Sequence, residues 1–197
     1  LALFQSYEYV VCPSGSCTSM VRRHYPEILH GRDPHLATCE RVYELTEFLG
    51  DVLQVGELGI RFPHRVGLHQ SCHGLRELRL GSSSEMVGPA FNKARQLLEG
   101  LEGIELVELT RPDECCGFGG LFAVKMADIS GAMLEKKIGH ILACPADTIV
   151  LGDVSCLMHI NGGLARRDTP KRARHIADVL GAGLPEGGAC LLYTSPR

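Results

Sequence analysis

Two cysteines stand side by side in Glu114-Cys115-Cys116-Gly117-Phe118-Gly119-Gly120, and three glycines follow them within four residues. Neighbouring residues of a strand point to opposite faces, so regular extended structure would separate the two thiols. Glycine permits positive φ and close approach of backbone to a bulky group, so in this loop both sulfurs can turn toward one centre. The fold must therefore interrupt its regular elements here and place the loop where two thiols can be used. A disulfide between adjacent cysteines closes a strained eight-membered ring, which suits a switch better than a staple.

Composition narrows the use of those thiols. With 197 residues, 45% of them hydrophobic, the chain can bury a core without covalent or metal staples. Nine cysteines are an odd number and cannot all pair internally. A reducing compartment disfavours structural disulfides, so metal binding or redox chemistry moves forward. The formal charge is −3, with acidic and basic residues mixed along the chain. No Lys/Arg-rich face of the kind a phosphate backbone needs can be traced, so nucleic acid is not an expected partner. No apolar run approaches the roughly 20 residues of a membrane-spanning helix. The opening LALFQSYEYVV lacks a basic region and a small-residue cleavage site. A cytoplasmic protein without a transmembrane segment is expected.

Hydrophobic periodicity gives the architecture. Residues 7–11, 65–70, 104–109 and 147–151 are short β-rich runs bounded by turn or cap residues. Leu36, Cys39, Val42, Leu45, Leu49 and Val52 repeat at helical steps, as do Met126, Ile129, Met133, Ile138 and Ile141. Further helices are expected near 86–99 and 171–180. The alternation predicts an α/β fold, a mostly parallel sheet with helices on both faces. On that frame Cys17, Cys72, Cys115, Cys116 and Cys156 each fall just beyond the carboxyl end of a strand. Open α/β sheets gather ligands at that edge. Cys12, Cys39, Cys144 and Cys190 are read as packing or tail residues.

Thiolate donors suit zinc or iron–sulfur and not magnesium or calcium. Zinc sites commonly carry Cys-x-x-Cys knuckles, which this chain lacks; the nearest segment is Cys156-Leu157-Met158-His159. Zinc on Cys72, Cys115, Cys116 and Cys156 stays open beside iron–sulfur. A weak internal repeat aligns Val10–Met20 with Ile149–His159, each running strand, five-residue step, Ser-Cys and helix. The second copy is preceded by Cys72 and the adjacent pair, the first by only a few residues. The expected organisation is a C-terminal part of a first cysteine-rich repeat at 1–55, whose upstream part is missing, a complete second repeat at 56–182, and a disordered tail at 183–197.

The segments PSGSCTSM (13–20), HQSCHGLREL (69–78), DECCGFGGLFAVK (113–125) and DVSCLMHINGG (153–163) together resemble the cysteine-rich CCG domain family, especially its lactate-utilization members. Heterodisulfide reductase catalytic subunits and glycolate oxidase iron–sulfur subunits are relatives. The resemblance covers the chain to about residue 180 and implies that Cys72, Cys115, Cys116 and Cys156 hold an iron–sulfur cluster of the 4Fe–4S type. It also implies that Cys17 closes a first site left incomplete. His159 stands where heterodisulfide reductases have a final cysteine, and is a candidate ligand or pocket-lining group. The implied function is electron transfer by a non-flavin oxidoreductase subunit of an L-lactate dehydrogenase complex, working with other subunits that oxidise L-lactate to pyruvate. Subunits of another 2-hydroxy-acid oxidase or of a heterodisulfide reductase-like complex, a structural zinc domain, and a metal-free vicinal-thiol protein are the competing readings. Arg76, Arg79 and Lys125 flank the cysteine loops and could offset cluster charge or bind a carboxylate, and His73 lies beside Cys72.

Overall fold

The computed structural model describes residues 1–182; the tail expected at 183–197, with Cys190, lies outside the described residues. Strand β1 (Val10–Cys12) runs into the short helix α1 (Gly15–Ser19), whose path continues through a wide π-type turn into α2 (Tyr25–Ile28). Strand β2 (Val42–Glu44) then pairs in parallel with β1, with Val10 opposite Val42. Helix α3 (Leu45–Glu47) follows directly.

A second, four-stranded sheet carries the rest of the chain. Its strands are β3 (Arg65–Leu68), β4 (Glu105–Val107), β5 (Thr148–Leu151) and β6 (Arg172–His175). They lie in the order β4-β3-β5-β6, and every pairing is parallel. Helices α4 (Lys93–Glu99), α5 (Leu121–Lys125), α6 (Ala127–Ala143), α7 (Val154–Leu164) and α8 (Ile176–Leu180) make the connections and the C-terminal turn. From β3 the chain steps outward to β4, then crosses back over β3 to lay down β5. The order thus reverses between β3 and β5, which sets the crevice for a ligand at their carboxyl ends.

Both faces of this sheet are covered. Ile149 and Leu151 pack with Ile138, Ile141, Ile160 and Leu164 of α6 and α7 on one face. On the other, Val66 and Val150 meet Leu98 of α4 with Ile176 and Val179 of α8. All four residues of β5 are buried, as a central strand covered on both faces requires. The expected fold class therefore holds.

Three helical expectations need correction. The apolar steps from Leu36 to Val52 are split into a 3-10 turn (Leu36–Arg41), strand β2, helix α3 and a π-type turn (Phe48–Val52). Val42 and Tyr43 are strand formers with β1 to pair against, and Glu44 ends the strand by capping α3. Its carboxylate accepts from the Thr46 and Glu47 backbone N–H groups, while Glu47 accepts from the Glu44 N–H. This is a reciprocal capping box in which glutamate serves as the cap. The helix expected near 86–99 starts only at Lys93, where the Asn92 side chain accepts from Arg95 N–H at 2.8 Å. The span 171–180 opens as β6, with Ala173 and His175 buried and Arg172 and Arg174 exposed, before α8 takes over.

Glu44 is almost fully buried, and desolvation pushes its carboxyl above the ordinary 4.5 against the hydrogen bonds from Thr46 and Glu47 that favour the charge. The neighbouring Glu47 is paired with Arg22 at 2.6 Å. The folded chain holds the Glu44 proton to higher pH than the unfolded chain, so this residue's contribution to stability declines as pH rises above 4.5. Denaturant titrations across pH should show Glu44→Gln gaining on the unaltered protein as pH rises through that window; a pH-independent difference would contradict the assignment.

Candidate metal centre

Each cysteine loop reaches the sheet edge by its own local device. Beyond β3 the chain stays in register for another two residues, with His69 N–H donating to Val150 O at 2.9 Å and Gln70 N–H to Pro112 O at 3.0 Å. Cys72 follows, half-buried, at the entrance to a π-type turn (His73–Glu77). The loop after β4 is pinned by Asp113, whose carboxylate accepts from Ser84 N–H at 2.9 Å and Ser84 O–H at 2.7 Å. Gly117 then takes φ +92°, and a Cβ there would lie 2.6 Å from the Ser130 carbonyl oxygen. Only glycine fits so close a backbone approach, and Ser130 O–H secures it by donating to Gly117 O at 2.7 Å.

Cys156 is the third residue of α7, behind the cap Asp153. One Asp153 oxygen accepts from Ser155 N–H at 3.0 Å and Cys156 N–H at 3.2 Å. The other accepts from Ser16 N–H at 2.7 Å and Ser14 O–H at 3.3 Å. Ser14 precedes α1 as Asp153 precedes α7, so Cys17 and Cys156 occupy the same helical position. The aligned segments thus match in local structure, and one carboxylate ties the two copies together. Gly15 N–H adds a bond to Gly152 O at 3.2 Å.

Cys17, Cys72, Cys115, Cys116 and Cys156 all line one cavity of about 510 Å³. That size is in the range of small-ligand and cofactor sites, roughly 300–1,000 Å³. The Cys116 and Cys156 sulfurs are 3.3 Å apart and buried, and Gly117 N–H donates to the Cys115 sulfur at 3.3 Å. Cys17 is exposed at the cavity.

The thiols share protons. Hydrogen bonds from Cys116 and then Cys72 hold Cys115 far below the usual thiol range. Cys116 also lowers Cys156, to about 6, against burial. Cys72 and Cys116 are pushed up, first by hydrogen bonding to Cys115 and further by burial. The shared protons thus favour the thiolate at Cys115 and Cys156 and the thiol at Cys72 and Cys116. Thiolate charge near the sheet edge calls for a positive neighbour.

Lys137 of α6 lies close by. It is 0% exposed and donates to Arg111 O at 2.8 Å. Burial lowers its pKa, while Glu114, Asp113, Cys116 and Cys72 act in the opposite sense. Of the flanking cations named from sequence, Arg79 and Lys125 are exposed, while Arg76, bound to Glu85 and the Asp113 carboxylate, is near enough for its charge to favour the Cys72 thiolate. Lys137 escaped the sequence reading because a lysine inside a helical run ordinarily reads as its solvated face.

His69 is the other residue that the reading missed. It is 1% exposed, and one of its ring nitrogens lies with the Cys116 and Cys156 sulfurs in a group whose ligand atoms are all within 4.8 Å of one another. Its place three residues before Cys72, at a strand end, was the available clue. His73, adjacent to Cys72, is exposed and faces Glu77 at 3.8 Å, although it borders the cavity. His159 packs edge-on against Phe118, ring centres 5.6 Å apart, and is not among the cavity's lining residues. Burial lowers its pKa. Cys39 and Cys144 are buried, Cys144 in the core beside α6, and half-buried Cys12 points back to Ser14 O at 3.8 Å.

The family profile described as "CCG: Cysteine-rich domain" matches residues 66–161, the span from β3 to α7 that supplies the clustered thiols. Lactate utilization protein A of Geobacillus kaustophilus (strain HTA426) is 43% identical over 183 residues, which cover 91% of this chain and 72% of that protein. The chain belongs to this family of cysteine-rich CCG-domain proteins. Lactate utilization protein A 2 of Bacillus cereus (strain 03BB102) is 41% identical over 187 residues, covering 92% of this chain and 72% of the relative. The Macrococcus caseolyticus (strain JCSC5402) relative is 40% identical over 183 residues, 90% of this chain and 69% of its own. The clustered cysteine and histidine side chains form a metal-binding set within this family's domain. Among the described residues no helix is long and apolar enough to cross a membrane.

Asp153 makes the arrangement testable. Replacing Asp153 by alanine should cost about 1–2 kcal/mol, as loss of a helix cap does, measured by chemical denaturation. Asp153→Asn keeps one acceptor oxygen for α7 but turns an amide toward Ser16 N–H, so it should recover only part of that loss. Full recovery would mean that the link between the two copies contributes little.

Proposed function

We propose that this chain is the iron–sulfur electron-transfer subunit of an L-lactate oxidation system, with Cys72, Cys115, Cys116 and Cys156 holding a 4Fe–4S cluster. The observation that carries the reading is the convergence of four thiols from three separate loops on one cavity. An all-sulfur donor set of this kind suits iron–sulfur or zinc and disfavours hard cations. When bound, such a cluster accepts and releases one electron at a time.

The chain's own residues would do the remaining work. Gly117 and Ser130 hold the adjacent pair in place, and Asp153 aims Cys156. Lys137 offsets thiolate charge from beneath the loop, while Cys116 and Cys156, both buried, keep water from that side. Burial, backbone donors and net charge are the levers by which a protein sets a cluster's potential. The repeated Ser-Cys helix start supports reading Cys17 as part of a neighbouring first site, with a first repeat at 1–55 and a second at 56–182.

The lactate assignment rests on the names of the relatives, and the expected partners are the other subunits of a lactate-oxidising complex in the cytoplasm. The protein would act there as a non-flavin oxidoreductase subunit. Deleting the gene from its source organism should abolish growth on L-lactate and spare growth on pyruvate. Unimpaired growth on both would remove the assignment.

Anaerobic reconstitution with ferrous iron and sulfide tests the cofactor. The product should be brown, with a paramagnetic resonance signal after reduction that is lost in Cys72→Ser and Cys156→Ser. A colourless protein purified with stoichiometric zinc would establish the structural zinc reading instead. A metal-free vicinal-thiol protein would be indifferent to Cys156→Ser.

A further inference from the structure

We infer that the buried end of this site is built for a single metal ion held jointly by Cys116, Cys156 and the Nε2 atom of His69. The inference rests on the metal-centre reading above but changes its form at this end: two cysteines and a histidine on one ion fit a mononuclear ion or a non-cubane iron–sulfur centre, not a cubane whose irons each take one cysteine.

Three observations converge on it. First, the Cys116 and Cys156 sulfurs are 3.3 Å apart. Two thiolates bound to one tetrahedral ion at about 2.3 Å sit roughly 3.8 Å from each other, so this pair needs to open only slightly. Sulfurs serving separate ions would stand well apart. Second, a ring nitrogen of His69 belongs to the same cluster, with all three ligand atoms within 4.8 Å of one another. The donors thus surround one position from three elements: the end of β3, the glycine-rich loop and the start of α7.

Third, the tautomer is set from outside the site. His69 Nδ1 lies 3.2 Å from Pro112 O. A carbonyl oxygen can only accept, so Nδ1 carries the proton and a neutral ring presents its lone pair at Nε2. Metal-binding histidines are commonly oriented in this manner, the second ring nitrogen donating to a carbonyl. Nε2 has no hydrogen-bond partner among the described residues, although the side chain is 1% exposed. The backbone holds the residue in place, since His69 N–H donates to Val150 O at 2.9 Å where β3 ends beside β5.

The other histidines near the loops do not meet these conditions. His73 is exposed and faces Glu77 at 3.8 Å; His159, whose Nε2 is likewise buried without a partner, lies against Phe118 and outside the group formed with Cys116 and Cys156. Nitrogen in place of sulfur raises the potential of an iron–sulfur centre, as the two-histidine Rieske type illustrates. His69 would therefore bias the centre toward accepting electrons.

Two probes on the full chain test the inference. Co²⁺ alone should bind with sulfur-to-metal charge-transfer bands and a paramagnetically shifted imidazole resonance. His69→Gln should remove that resonance and weaken Co²⁺ binding at least tenfold, whereas His73→Gln and His159→Gln should keep both. In the iron-reconstituted chain, pulsed paramagnetic resonance should detect directly bonded nitrogen whose coupling changes with ¹⁵N-histidine labelling. A cluster that forms without such coupling, together with Co²⁺ bound without imidazole, overturns the inference and leaves the cluster assignment standing. Failure of iron–sulfur assembly with retained His69-dependent Co²⁺ binding overturns the cluster and supports the inference. Should His69→Gln not fold, loss of the imidazole resonance in His73→Gln or His159→Gln counts against His69, and its retention in both counts for it.

Discussion

The carboxylate of Asp153 is the interaction on which the site's assembly turns. One oxygen completes the first turn of α7 and so fixes where Cys156 points. The other reaches Ser14 and Ser16, more than a hundred residues earlier, and fixes where Cys17 lies. Ordinary helix caps satisfy local backbone donors and stop there. This one also replaces, for a buried loop at the junction of two sheets, the solvent its N–H groups would otherwise need. The small two-stranded sheet of β1 and β2 is thereby held to the edge of the larger one at the point where the thiols gather.

Charge at that point is handled by position. Four thiols close together cannot all ionise, and proton sharing lowers Cys115 and Cys156 while it raises Cys72 and Cys116. Lys137 sits under the loop, fully buried, bound to a backbone carbonyl and not to a carboxylate. A buried ammonium without a charged partner is costly in an apolar core. Here the Glu114 and Asp113 carboxylates, ahead of the thiols, offset part of that cost.

Much of this was legible in the residues. β-rich runs bounded by turn residues contain or overlap β1, β3, β4 and β5, and the helical steps from Met126 to Ile141 correspond to α6. Placing five cysteines past strand ends was enough to bring them to one cavity. What remained hidden depended on tertiary partners. Strand β2 was concealed because Val42 fits a helical stripe as well as a strand, and only β1 across from it decides between them. The alternation of buried and exposed residues in Arg172–His175 was visible, but four residues are too few to outweigh the apolar steps that follow. His69 and Lys137 share another reason: polar side chains are read as surface unless something nearby asks for them inside. For both, what asks is a set of thiols distant in sequence.

The helix start that appears twice here, a strand, a short step and a thiol at the third helical position, needs one capping carboxylate, which Asp153 supplies to both copies. Ser14 makes no side-chain cap of its own and the first copy leans on Asp153, yet Cys17 and Cys156 keep the same helical place on different sheets. For protein engineering, this start with its carboxylate is a portable fitting. Grafted after the last residue of a parallel strand in an unrelated sheet, such a segment would present a thiol at a known height above the strand's end, and two or three of them would give a metal site whose spacing follows from the distance between strands.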